Sequence, residues 1–173
     1  MLRTSRRQQI IQAVIGIIEQ RSVEALTFES VAAAAGISKS GIIYHFPTRH
    51  DLLRGVNQHF IDQWETELQE VAGAPADQLT LAQRLRAVVV TLGGNADRAE
   101  LLMSLESHDH PELPQMWAEL EDQWMSTDPH SELYPVQLMA LGLWAHDHVH
   151  HRALSEKERA DLVATILDRL PKD

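Results

Sequence analysis

The stretch TFESVAAAAGISKSGIIYHFPTRHDLL, residues 27–53, decides how this chain folds. Thr27 stands where a helix N-cap belongs and Glu29 lies in the positive first turn that follows. Residues 31–35 then supply a run of small side chains that a neighbouring helix can approach closely. Gly36 permits a sharp left-handed turn. Ser38 caps a second short helix that carries Ile37, Ile42 and Phe46 inward and turns Lys39, Ser40, Gly41, Tyr44 and His45 outward. Pro47 ends it, and Thr48 with Asp51 three residues on is a capping-box start for a further helix. Two short helices joined by a glycine turn have the layout of a helix-turn-helix, whose second helix enters the DNA major groove.

Outward from this motif the pattern stays helical. Ile10, Ile11, Val14, Ile17 and Ile18 form a stripe at helical spacing that completes a three-helix head. From Thr48 to Val71 the stripe runs through Leu52, Leu53, Val56, Phe60, Ile61, Trp64 and Leu68, so one long helix leads away from the head. Breaks at residues 72–77 (AGAPAD) and 93–97 (GGNAD) flank a helix with Leu79, Leu81, Leu85, Val88, Val89 and Leu92. A short helix follows near residues 98–107, and Pro111 and Pro114 open the next. Pro135 fits the first turn of a helix that is apolar on nearly every face through Val149 and therefore needs cover on two sides. The last helix, residues 155–170, starts with a Ser155/Glu158 box. No stretch alternates as a strand does. The expectation is an all-α protein of about nine helices: a helix-turn-helix DNA-binding domain at 1–47, and a helical effector-binding and dimerisation domain at 48–173.

Charge divides along the same line. The chain of 173 residues has a formal net charge of −10. Residues 1–50 hold six basic against three acidic side chains, a net +3, and the remainder nine against 22, a net −13. A basic head on an acidic body suits phosphate at one end and repulsion elsewhere. With 44% apolar residues the chain is globular, and zero cysteines exclude a disulfide framework and thiolate metal sites. No apolar run approaches membrane-spanning length, and the basic N-terminus (Arg3, Arg6, Arg7) leads into an amphipathic helix, not a signal peptide. These features predict a cytoplasmic protein with no membrane partner and no cofactor. The last two helices carry more apolar surface than one small bundle needs, and Ala140, Gly142 and Ala145 allow close approach; a two-fold homodimer through that pair is predicted.

At the reader, AAAAGISKSGIIYHFPTRHDLL resembles the TetR family of transcriptional repressors, the close motif covering about residues 10–56. Within the family the chain is most similar to short, multidrug-responsive actinobacterial regulators. The resemblance implies a homodimer on a palindromic operator, usually over an efflux or catabolic promoter, released when a small molecule enters the body. Carried over by position, Thr27, Ser38, Tyr44, His45, Thr48 and Arg49 fall where the family touches phosphates, and Lys39, Ser40 and Gly41 where it meets base edges. Many members have Tyr where this chain has Ile43, so Tyr44 takes over part of that contact or the contact is lost.

Candidate effector residues are fewer in kind than in number. Phe60, Trp64, Met103, Met116, Trp117, Trp124, Met139 and Trp144 form an adaptable apolar set, and Glu106 and Asp147, with Asp109, Glu119 and Asp122, are acids that would neutralise a lipophilic cation. Six of ten histidines cluster at 108–110 and 146–151, and His146 and His150 have a bidentate helical spacing. A metal-responsive repressor is the alternative reading. His-Asp pairs at His50, His108 and His146 raise a remote third, a metal-dependent phosphohydrolase, which has neither a complete ligand set nor an evident nucleophile.

Overall fold

The computed structural model describes residues 5–106 and 112–171. Among these residues there are nine α-helices and no strand: α1 (Arg6–Gln20), α2 (Phe28–Ala35), α3 (Lys39–His45), α4 (Arg49–Ala72), α5 (Leu81–Leu92), α6 (Arg98–Glu106), α7 (Glu112–Trp124), α8 (Tyr134–Val149) and α9 (Glu156–Leu167). The all-α expectation holds. His108, Asp109, His110 and Pro111 lie outside the described residues, as does the side chain of Glu106.

Local chemistry sets the helix ends. Ser5, Ser38, Thr80 and Ser155 each accept a backbone N–H from the first turn of the helix they precede. At α2 the expected Thr27 cap forms a reciprocal box with Ser30: each hydroxyl accepts the other's N–H at 3.0 Å. Gly36 closes α2 at φ +64°, a conformation that costs a residue with a Cβ about 1–2 kcal/mol. At α4 the Thr48 N–H and hydroxyl donate to Asp51 Oδ2 at 3.0 and 2.7 Å, and the Asp51 N–H returns a bond to Thr48 Oγ1 at 3.0 Å. Leu79 falls before α5 and not inside it, because a short 3-10 turn at Ala76–Gln78 precedes the Thr80 cap.

The chain divides into two compact units, residues 1–60 with 97–116 and residues 61–96 with 117–173. This division by packing differs from the boundary after Pro47 expected from the sequence. In the first unit the α1 stripe expected from the sequence is buried throughout, together with Val31, Ile42, Phe46, Leu52, Leu53 and Val56. The unit also takes in α6, which sequence spacing alone does not connect to the head. Arg98, at the start of α6, donates to the carbonyls of Ile18, Glu19 and Arg21 and so satisfies acceptors that the end of α1 leaves open. Ala99, Met103 and Leu113 are buried, and the buried Asn57 donates its Nδ2 to Leu113 O at 3.2 Å.

In the second unit α5 packs on α8 and α9, and α8 on α9. Arg159 of α9 is the polar centre of this packing: its guanidinium donates to the carbonyls of Gly93, Gly94 and Leu143 and pairs with Asp147 at 3.0 Å. Gln137 is buried and makes two bonds to the backbone of Ser126, fixing the loop before α8. One expectation is only half met within the chain. Val136, Ala140 and Leu143 bury one face of α8, but Leu138 is 53% exposed and Met139 and Leu141 are also uncovered.

Candidate nucleic-acid interface

The reader surface follows from which α3 side chains the core claims. Ile42 is fully buried and Phe46, the C-cap of α3, is 2% exposed, with the Arg7 guanidinium carbon 5.0 Å from its ring centre. With those two residues fixed inward, Lys39, Ser40, Ile43 and Tyr44 must point out. Tyr44 is 83% exposed, its ring edge-on to His45 at 5.1 Å, an amphipathic plate standing free of the core. Ile43, at the position where the family often has Tyr, is 39% exposed and offers no polar atom.

The polar groups near this surface are pre-arranged by one another. Lys39 Nζ pairs with Glu29 Oε1 of α2 at 2.5 Å, which holds the lysine at the α3 start and pulls the Glu29 carboxyl below the usual carboxylate range. Ser38 and Ser40 hydroxyls are 3.1 Å apart. Thr48 is used as a cap, and its bond to Asp51 lowers that carboxyl's pKa. Arg49 donates through Nε to Leu26 O at 3.3 Å and through Nη2 to Val23 O at 2.9 Å, so it braces the turn ahead of α2 as well as standing at the α4 start. Gly41 has a second reason beyond clearing the groove: a Cβ there would lie 2.8 Å from Ile37 Cγ2, inside the head. Thr27, although exposed, is likewise engaged in its box with Ser30.

Two features escape a reading of the sequence alone. Glu29 is a partner of Lys39 only because the Gly36 turn folds α3 back toward α2, and a pair ten residues apart has no helical periodicity to reveal it. A groove of about 320 Å³ in the same unit is lined by Arg7, His45, Pro47, Asp51, Arg54 and Gln58 among others, setting two more arginines close to the reader.

The effector candidates are mostly packing residues. Phe60, Trp64, Met103 and Trp124 are buried, and Met116, Trp117 and Trp144 half-buried, while Met139 is on the uncovered face of α8. Phe60, Met103 and Met116 belong to the first unit and the rest to the second. Trp64 donates its indole N–H to Thr91 Oγ1 at 3.0 Å and lies 6.0 Å, ring to ring, from Trp117. Asp147 is committed to structure: His146 Nδ1 at 2.8 Å, the Leu154 N–H and Arg159 together hold its pKa down at about 2. His146 and His150 do meet, their rings stacked at 4.4 Å, but among the described residues no three His, Asp or Glu side chains gather as a metal cage.

Residues 10–56 match the model of the bacterial regulatory proteins of the tetR family, and residues 82–171 match the tetracyclin repressor-like C-terminal domain. The chain belongs to the TetR family. That membership makes it a regulatory protein and not an enzyme, and it overturns the phosphohydrolase alternative, whose His50-Asp51 pair is in any case the capped start of α4. The chain is similar to the nucleoid occlusion factor SlmA of Alteromonas mediterranea, 27% identical over 81 residues that span 47% of this chain and 42% of that protein. It is also similar to the HTH-type transcriptional regulator AcrR of Shigella flexneri, 27% identical over 105 residues, 59% of this chain and 48% of the relative. The aligned region thus covers less than half the length of either. Among solved structures, the multidrug binding protein EbrR complexed with imidazole has the same fold at a TM-score of 0.63 and 19% identity, covering 97% of this chain and 91% of that one. No helix among the described residues is long and apolar enough to cross a membrane.

Proposed function

We propose that this TetR-family chain is a cytoplasmic, ligand-responsive repressor that binds a palindromic operator as a homodimer, with 1–47 as the DNA reader and 48–173 as the effector-binding and dimerising part. The observation that carries the reading is the division of α3: Ile42 buried, Phe46 at its end locked under Arg7, and Lys39, Ser40 and Tyr44 presented on the other side. That is what a helix entering a major groove requires. Lys39 leaves Glu29 for a guanine edge or a phosphate, while Ser38, Tyr44, His45, Thr48 and Arg49, with Thr27, face phosphates around it.

The uncovered α8 face supports dimerisation through the last two helices. Leu138, Met139 and Leu141 of α8 and Leu162 of α9, 41% exposed, are apolar surface that a second copy would bury, and a Cβ built on Gly142 meets nothing within 4 Å. Two readers then sit about one DNA turn, 34 Å, apart on a two-fold site. For the effector, the aromatic set around Trp64 and Trp117 and the fold shared with a multidrug binding protein support a lipophilic or cationic molecule and control of a drug-efflux gene. Because Trp64 and Trp124 are packed in the free chain, entry displaces side chains instead of filling a standing void. The α4 helix, beginning beside Thr48 and ending at Ala72, is the element whose shift would change reader spacing.

Gel shift on the DNA flanking the chain's own gene, repeated across a salt series, tests the DNA reading. Specific binding that weakens steeply with salt is expected. A strictly monomeric chain indifferent to every duplex at low ionic strength refutes it. Titration with a lipophilic cationic dye should quench tryptophan fluorescence and release the operator; binding without release refutes induction.

A further inference from the structure

A hollow of about 400 Å³ lies where α8 ends, lined by His146, His150, His151, Arg152 and Leu154, and neither the DNA reader nor the dimer face accounts for it. The helical register persists to its edge, since the His150 N–H still donates to His146 O at 3.0 Å, and the two imidazoles therefore sit one turn apart on the same side with ring centres 4.4 Å apart. The first ring is oriented from behind. Its Nδ1 faces Asp147 Oδ1 at 2.8 Å, and because a carboxylate only accepts, the neutral ring carries its proton on Nδ1 and leaves the lone pair of Nε2 for a metal. Asp147 is itself fixed by the Leu154 N–H at 3.2 Å and Arg159 at 3.0 Å. A carboxylate holding the far nitrogen of a histidine is the arrangement that sets metal-ligating imidazoles.

The surrounding charges do not oppose a cation. Arg159 is neutralised by Asp147, and Arg152 pairs with Glu158. His148 is directed elsewhere, its Nε2 2.6 Å from Ala96 O. His150 follows the last residue of α8 and is exposed, so its ring is free to swing from the stacked pose to a chelating one.

We infer that His146 Nε2 and the His150 imidazole form a two-nitrogen chelate for a borderline divalent cation such as zinc, with the remaining coordination positions open to water. Two neutral imidazoles without thiolate select zinc, nickel or copper over magnesium or calcium. The site is incomplete as a structural cage, which needs four protein ligands, and is an exchangeable surface site. It stands independently of the DNA reading.

Calorimetric titration of the metal-free full chain with zinc chloride at neutral pH tests it. One zinc ion per chain is expected at micromolar affinity, weakened at least about tenfold in His146→Ala and in His150→Ala. His130→Ala, an exposed histidine elsewhere, and a His108→Ala/His110→Ala double variant should bind as the parent does. Nuclear magnetic resonance of the parent should show zinc perturbing the ring nitrogens of His146 and His150. No binding, unchanged affinity in His150→Ala, or loss of binding in the 108/110 variant overturns the assignment. Since His150 is exposed, its substitution leaves the fold intact, which circular dichroism checks.

Discussion

Truncating Phe46 to alanine probes the head at the point where reading and folding share a residue. A Phe side chain removes about 150–250 Å² from water, worth about 4–6 kcal/mol at 25 cal/mol per Å². Residual burial in the unfolded chain trims that to about 3–5 kcal/mol, the range found for large-to-small changes in well-packed cores. Phe46 is 2% exposed, so nearly the full amount applies, and the Arg7 contact adds about 0.5–1 kcal/mol more. Against a total stability of about 5–15 kcal/mol this is a large fraction. Urea unfolding followed by circular dichroism should show the midpoint falling with little change in slope, measured at one chain concentration because association also shifts midpoints. Tyr44→Ala is the control: that ring is 83% exposed and its loss should stay within about 0.5 kcal/mol. If Phe46→Ala cost less than about 1.5 kcal/mol, or no more than Tyr44→Ala, the inward and outward assignment of α3 would be wrong.

Three further outcomes are expected. Lys39→Ala should weaken specific operator binding without lowering the unfolding midpoint, because the Glu29 pair it breaks is exposed on both sides and screened by water; unchanged operator affinity removes Lys39 from the interface. Gly36→Ala should destabilise the head by about 1–2 kcal/mol, since φ +64° is strained for a residue with a Cβ even where space is open, and a stabilised variant would contradict the left-handed turn. Acid should loosen the α8–α9 region in a defined window. Asp147 and Glu158 are each held down at about 2, from ordinary values of 3.8 and 4.5, the first chiefly by His146 and the second chiefly by the Ser155 N–H. Depressed carboxyl pKa values give stability that is complete above pH 4.5 and lost as pH falls toward 2. Asp147→Asn should flatten that part of the stability profile, and an unaltered profile would show that the carboxylate does not contribute.

The head was legible because its determinants are local. Thr27, Gly36, Ser38, Pro47 and the Thr48/Asp51 start each act within four residues, so a cap or a turn can be read from the residues themselves. The body was legible only as helices. Trp64, Trp117 and Trp124 have the same spacing whether they face a ligand or a neighbouring helix, and the structure places them in packing or on an indole bond to Thr91. Asp147 reads from the sequence as a free acid for a cation, yet besides the adjacent His146 it is held by Arg159 of α9 and the Leu154 N–H of the loop before it, which no spacing within α8 announces. Arg49 is similar: an arginine at a helix start reads as a phosphate contact, and its bonds to Val23 and Leu26 arise from the return of the chain after the α3 turn. The apolar periodicity of α8 calls for cover on two sides, and among the described residues that cover reaches only one.

The clasp that Arg98 makes on the carbonyls of Ile18, Glu19 and Arg21 has an engineering consequence. The first compact unit is stitched from two separated pieces of polypeptide, so its boundaries in space are not a cut site in the gene. An excised fragment ending near Phe60 would expose the seat of Ala99, Met103 and Leu113 and leave the tail of α1 with unanswered acceptors. Grafting this DNA reader onto another regulator therefore calls for transplanting residues 97–116 along with it, and a chimera joined at a single seam would inherit a frayed first helix.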